Sequence, residues 1–355
     1  MTDRAVILPT PVDPFMLNYW LHGFNTIWGD EVTRLYIVVN SPIQKDVIDY
    51  VMKITDKPNI TVLYFPTQIE HGDAINRALE IVQEKYVMLV EDDCYIFKAG
   101  VIDQCFHWLE SGQYQIVGSK RGSCHPEILE RAKQIWGLQY EGLGDQGCNF
   151  WPNLFFASKE LLLRTDRNFG AKAWQKGTNI EQLGNYTVLN DVIYGDTFVW
   201  ASLQLRAMVP EKYIKYIPQY HGHPDDLKHF EQQSDLFDGH APWCHIGSLS
   251  SGVHGILMDS EKRPLATRVS NPTQYSGQCL PCLAKTEMEH FEYERRLQWW
   301  LTFVEFYEKQ SAIVDPIPEF RKMYNEAILT AVGQMQLSIK RIRKRQWAYK
   351  TIGLW

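Results

Sequence analysis

Three acidic side chains in a row, Glu91, Asp92 and Asp93, follow the apolar run "YVMLV" (86–90). Adjacent carboxylates repel one another and gain nothing from a buried strand, so their charge must serve something beyond its end. Vicinal carboxylates in that position suit a hard divalent cation, Mn2+ or Mg2+, held by few protein ligands and completed by phosphate oxygens; a solvated acidic loop is the plainer alternative. A second acidic set, Asp191 and Asp196, stands in "VLNDVIYGDTFVWASLQLR" (188–206). There Asp196 fits the N-cap of a helix over 196–207. "CLPC" (279–282), with Cys244 and His240 or His245 upstream, is half of a zinc pattern. Without a clean second pair it equally describes two small thiols beside a turn.

The first hundred residues must position the triplet. "RAVIL" (4–8), "LYIVV" (35–39), "ITVLYF" (60–65) and "YVMLV" are short, apolar, β-branched-rich runs that predict buried strands. Between them "KDVIDYVMKI" and "DAINRALEIVQEK" place apolar residues on one helical face. Strand and helix in alternation predict an α/β fold, a mostly parallel sheet with helices on both faces. In such sheets ligands bind beyond the carboxyl ends of the strands, which is where the triplet falls. Residues 99–111 predict a further helix. The pattern loosens from 112 to about 195, with a strand at "LFFAS", and "YIKYIPQY" (213–220) predicts another strand.

The 355 residues are 45% hydrophobic and 22% charged, an ordinary globular composition. A net charge of −6 excludes polyanion binding by bulk electrostatics. No stretch approaches the roughly 18 apolar residues that span a bilayer. The opening "MTDRAVILPTPVDPF" breaks at Pro9 and Pro11 before it could act as a secretion signal. Seven scattered cysteines then read as reduced thiols, and a cytoplasmic setting is expected, that of the host for a virus-encoded protein.

In order and spacing, "ILPTP" (7–11), "VVNS" (38–41), "HGDAINRAL" (71–79) and "VMLVEDD" (87–93) resemble the nucleotide-sugar-dependent glycosyltransferases of the GT-A fold, particularly family 2. The resemblance covers roughly residues 4–110. It implies a metal-dependent transfer of a sugar from a nucleoside diphosphate, with UDP the expected carrier, to a hydroxyl. By position it implies that Pro9, Thr10, Asn40 and Ser41 line the base and ribose pocket. Asn40 stands where the family often has Asp. Gly72 and Asn76 would sit near the nucleotide, Asp92 near the ribose, and Asp93 on the metal bridging the diphosphate, with Glu91 behind them. The same resemblance makes Asp196 the base that activates the acceptor, with Asp191 behind it. It also implies a histidine ligand from a later loop: His245 in "HIGSLSSG" is preferred to His221 or His223 in "YHGHP".

The expected organisation is a GT-A domain over 1–258, with a nucleotide-sugar half (1–110) and an acceptor half (111–258), a linker over 259–282, and a helical region over 283–355. Five of the six residues 340–345 are basic, with Trp347, Tyr349 and Trp355 nearby. This is a solvated helix face or, over 340–350, a contact for an anionic membrane or nucleic acid. The acceptor is accordingly a glycan or a hydroxylated DNA base. Two other readings compete. A sugar nucleotidyltransferase would carry a Gly-rich, basic loop after its first strand, and "ILPTPVDPF" has none. A non-catalytic nucleic-acid or membrane adaptor with a degenerate site would show neither metal dependence nor turnover.

Overall fold

Short runs of branched apolar residues cannot leave either face to water, so they pair edge to edge beneath helices. The computed structural model describes residues 3–10, 14–40, 45–65, 67, 69–92, 94–96, 98–122, 124–138, 149–190, 192–195, 197–217 and 243–245. From the amino end, β1 (Arg4–Thr10) is followed by α1 (Pro14–Gly23), β2 (Arg34–Val39), α2 (Lys45–Ile54), β3 (Ile60–Tyr64), α3 (His71–Ile81) and β4 (Tyr86–Val90). Next come β5 (Cys94–Ile96), α4 (Val101–Glu110), β6 (Ile116–Gly122), α5 (Pro126–Trp136), β7 (Asn149–Ser158) and α6 (Lys159–Leu163). Four short strands, β8 (Lys172–Gln175), β9 (Asn179–Ile180), β10 (Tyr186–Thr187) and β11 (Val192–Gly195), lead to α7 (Val199–Met208), β12 (Ile214–Ile217) and β13 (Trp243–His245).

Seven strands form one sheet in the order β12-β6-β7-β4-β1-β2-β3. Every neighbouring pair is parallel except the two that involve β7, which runs antiparallel to both β4 and β6. Successive strand residues face opposite ways, and both faces are covered. Ala5, Ile7, Val87, Leu89 and Phe155 pack with Ala74, Ala78 and Leu79 of α3 and with Ala201 and Leu205 of α7. On the other face Phe156 meets Phe106 of α4 edge-on, ring centres 5.2 Å apart. The expected α/β, mostly parallel sheet with helices on both faces is therefore what the chain forms.

Departures from the expected elements lie in the second half. The loose pattern after 112 hides α5 and a second core, where Ile128, Leu129 and Ala132 meet Leu183, Ile193, Trp200 and Leu203. The last helix starts at Val199, not at 196. Its N-cap is Phe198, whose left-handed backbone (φ 68) cannot continue a helix toward the amino end, so Asp196 is not the cap. The linker over 259–282, the region over 283–355 and the basic stretch over 340–350 lie outside the described residues. Among the described residues no helix is long and apolar enough to cross a membrane, and Cys94, Cys105 and Cys124 are buried free thiols.

The amino end of β1 is fixed by charge. Arg4, 4% exposed, sends Nε and Nη2 to the two carboxylate oxygens of Glu110, both at 2.7 Å, and Nη1 to Asp103 at 2.7 Å. Glu31 supplies its C=O to the same guanidinium, while its carboxylate accepts the N–H groups of Gly100 and Asp103 at the start of α4. Hydrogen bonding from Arg4 holds the Glu110 carboxyl below its usual range, against the opposing effect of partial burial. Replacing Arg4 by Met should cost about 3 kcal/mol at neutral pH, the low end for a broken buried pair, because both carboxylates keep access to water. A lowered folded-state pKa contributes stability above the unfolded value and loses it as pH falls through the folded one. Denaturation from pH 7 down to 3 should therefore show the gap between wild type and Arg4→Met narrowing on the acid side. A gap independent of pH would assign the loss to packing on Phe106.

Candidate functional site

Proline has no N–H to give a ladder, and Pro9 sits inside central strand β1. Thr10 C=O faces β2, where it accepts the N–H of Asn40 at 3.1 Å. Backbone groups alternate sides along a strand, so Pro9, one residue earlier, turns its missing donor toward β4. The β1–β4 pairing stops accordingly at Ile7 and Leu89, although β1 continues along β2 to Thr10 and Val39. Beyond that point the two strand ends part.

One buried side-chain bond spans the gap: Thr10 Oγ1 donates to Asp92 Oδ2 at 2.8 Å. The partners are 0% and 5% exposed. Asp92 lies in a turn closed by Cys94 N–H on Glu91 C=O at 3.1 Å, so Glu91 and Asp92 begin the turn that joins β4 to β5. Glu91 is half-buried at its start; Asp93 lies outside the described residues. Asn40, at the end of β2, also accepts the N–H of Ile69 through its C=O at 3.0 Å. Its side-chain Oδ1 is buried and has no hydrogen-bond partner among the described residues. A buried carbonyl without a donor costs free energy, and its position at the carboxyl edge makes it a place for a ligand N–H or O–H. Ser41 lies outside the described residues.

Strand β13 pairs antiparallel with β5 in a register that sets His245 opposite Cys94, the residue after Asp93. Paired residues stand about 5 Å apart at Cα. Two positions far apart in the sequence are thus brought side by side. His221 and His223 lie outside the described residues, as do His240 and the CLPC pair. Among the described side chains no group of three His, Cys, Asp or Glu is arranged to hold a metal. The carboxylates that are described, Glu91 and Asp92, are hard oxygen donors of the kind Mn2+ and Mg2+ take.

Gly72 and Asn76 do other work. A Cβ on Gly72 would stand 2.1 Å from the N of Gly170 and 2.5 Å from the carbonyl carbon of Phe169, so α3 and that segment meet backbone to backbone. Asn76 Nδ2 donates to the C=O of Arg167 at 2.7 Å, and Arg167 Nε donates back to Asn76 Oδ1 at 3.2 Å. Both residues fasten the 165–170 segment. The sequence offered no sign of this, since the partner lies 91 residues away.

On the acceptor side Asp191 and Asp196 lie outside the described residues, but their neighbours do not. Gly195 forms a bridge with Cys124, just past the end of β6, on the edge of the sheet that carries Thr10 and Asp92. With β7 between β6 and β4, the lateral offset is about 10 Å. The residues leading to Asp191 are held by Glu127, which accepts from Tyr186 Oη at 2.5 Å, from Leu189 N–H at 2.9 Å and from the Asn190 amide. Burial would raise the Glu127 carboxyl, but these hydrogen bonds outweigh it and hold it below the ordinary range. Burial and the same carboxylate push Tyr186 up to about 12. Sequence reasoning missed Glu127, whose only local signal is a place in the first turn of α5.

The chain is an α/β protein with a mostly parallel sheet and an acidic turn at its carboxyl edge. No protein-family profile matches the sequence, and no curated protein matches it. Among solved structures the chain is similar to a mannosyltransferase from Pyrobaculum calidifontis in complex with GDP-Man and Mn2+, at 15% identity and a TM-score of 0.35. That match covers 46% of each chain, so it spans about half the length of the Pyrobaculum enzyme. A mannosyltransferase from S. cerevisiae in complex with GDP is similar at 10% identity and a TM-score of 0.37, over 61% of this chain and 69% of that one. A 4-diphosphocytidyl-2C-methyl-D-erythritol synthase from Anaerococcus prevotii follows at 12% and 0.35, over 61% and 87%. Likeness at this level is one of fold; the chemistry rests on the chain's own residues.

The packing role of Gly72 is measurable. Gly72→Ala should lower stability by about 2–3 kcal/mol, the cost of overpacking against backbone that has no rotamer to yield. Nucleotide affinity of the folded fraction should stay within twofold. Weakened nucleotide binding at unchanged Tm would instead return Gly72 to the nucleotide pocket.

Proposed function

We propose that the protein is a metal-dependent glycosyltransferase that moves a sugar from a nucleoside diphosphate sugar, with UDP as the carrier, to a hydroxyl acceptor. The observation that carries the reading is the carboxyl edge itself, where the buried Thr10–Asp92 bond lies beside an Asn40 carbonyl with no donor. Pro9, Thr10, Asn40 and Ser41 form the wall for base and ribose. Asp92, whose Oδ2 accepts from Thr10, stands near the ribose. Asp93 and His245 are the metal ligands, an assignment supported by the β5–β13 register. A divalent cation bound there would offset the charge that develops on the departing diphosphate. Asp196 takes the acceptor proton, with Asp191 behind it, and attack from the face opposite the leaving group inverts the anomeric centre. The ends of β6 and β4, about 10 Å apart across β7, set the lateral distance between the acceptor side and the donor side. Glycans and hydroxylated DNA bases are the acceptors to try first.

A thermal-shift panel of nucleoside diphosphates with and without Mn2+ tests the donor half. A nucleotide at about 100 times its Kd adds roughly 2.7 kcal/mol, a Tm rise of about 3–4 °C for a chain of this length. One nucleotide, UDP, should give that rise only with the metal. Asp93→Ala and His245→Ala should each abolish the metal requirement along with the shift, whereas Asp196→Asn should keep the shift and lose transfer. A panel in which no nucleotide stabilises the protein would leave the adaptor reading standing in its place.

A further inference from the structure

Phe198 lies two residues after Asp196 with a backbone that bulky side chains rarely adopt, φ 68. The left-handed region brings Cβ too close to the following carbonyl oxygen, so such a residue persists only where its surroundings over-determine it. Here the surroundings are specific. Phe198 N–H donates to Phe169 C=O at 2.8 Å. Its ring, 0% exposed, stacks on Phe169 (5.7 Å, 16° between planes) and meets Phe155 of β7 at 4.7 Å.

Phe169 belongs to the 165–170 segment, which contains a second left-handed residue, Arg167 (φ 58). That segment is strapped to α3 of the nucleotide half. Arg167 donates to Asn76 Oδ1, to the C=O of Asn76 at 3.3 Å and to Glu80 Oε1 at 3.2 Å, while Asn76 Nδ2 returns a bond to Arg167 C=O. Gly72 lets the two backbones touch. An unbroken series of contacts therefore runs from α3 through Arg167 and Phe169 to Phe198. On the other flank Gly195 is fixed by its pairing with Lys172 and its bridge to Cys124.

We propose that Phe198 is a positioning residue: by pinning the start of α7 to Phe169, and through the 165–170 strap to α3, it registers the helix that follows Asp196 in sequence against the β1–β4 edge. The inference rests on the reading of Asp196 as the acceptor-side base. It also gives Gly72 and Asn76 their purpose, which is to register the donor half against the acceptor half.

Two variants cut the series at different places. Arg167→Ala opens the clasp on α3 without touching the core, and Phe198→Leu keeps apolar bulk while losing the stacked ring. Both should lower kcat at least tenfold with the donor KM within twofold of wild type. Hydrogen exchange of the 197–203 amides should become at least tenfold faster in both. Arg167→Lys, which keeps a cation for Glu80, should recover most of the loss. Unchanged exchange in folded variants would overturn the proposal, as would faster exchange at wild-type kcat, or a kcat loss matched by an equal rise in donor KM. Were the wild type to transfer no sugar to any acceptor, the glycosyltransferase reading would fall. Exchange alone would then decide whether the strap pins the start of α7.

Discussion

Between β1 and β4 the ladder runs only as far as Ile7 and Leu89, and past it a buried side-chain bond, Thr10 to Asp92, joins the two strand ends. The crevice depends on that arrangement. If β1 and β4 stayed paired to their tips, backbone would fill the space that a ligand needs. Left unbridged, they would expose a buried carboxylate to whatever rotamer solvent allowed. A charged acceptor held by a hydroxyl donor contributes more than a neutral pair, and the low exposure of both groups keeps water from competing. Pro9 makes the parting permanent, because no rearrangement can restore a donor it does not possess.

The nucleotide half was legible because its signals are local. Each of β1 to β4 is a short apolar run, α2 and α3 carry their apolar residues on one face, and the triplet falls at a strand end by inspection. What was not legible is held by long-range partners. Phe198 looks like an ordinary helical residue until its backbone meets Phe169, so the helix was expected to begin at Asp196, three residues too early. Asn76 resembled a nucleotide contact because the family pattern puts it there, while its amide is occupied by Arg167. Glu127 offered no cue beyond a helix start, since three of its partners arrive from a segment some sixty residues later. The β5–β13 pairing is three residues long, too short for periodicity to declare it.

Strain is distributed in keeping with this division. The left-handed residues with side chains, Arg167, Asn185 and Phe198, all lie in the acceptor half among the described residues. Asn tolerates that region, whereas an aromatic does not without support. The nucleotide half, by contrast, meets its demands with residues chosen for the purpose: Pro9 to end a ladder, Gly72 for a close approach, Gly100 at the start of α4. One half is built on ordinary sheet rules, and the other holds unfavourable conformations by packing them against the first.

That contrast bears on why position 40 is an amide. An aspartate there would place a third carboxylate at the edge that already holds Asp92 and Glu91, partly shielded from water, and like charges in such a place raise each other's pKa. An amide avoids that cost and leaves only a carbonyl without a donor. Its penalty is about 1–3 kcal/mol, borne by the empty protein and recovered when a ligand N–H or O–H arrives. The recovered amount corresponds to roughly ten- to hundredfold in Kd. Because the amide can also donate from Nδ2, it favours a ligand edge that offers a donor and an acceptor side by side. An acceptor-only carboxylate would favour two adjacent donors instead. The residue at the end of β2 therefore sets both the charge of this edge and the pattern of hydrogen bonds that a ligand there must match.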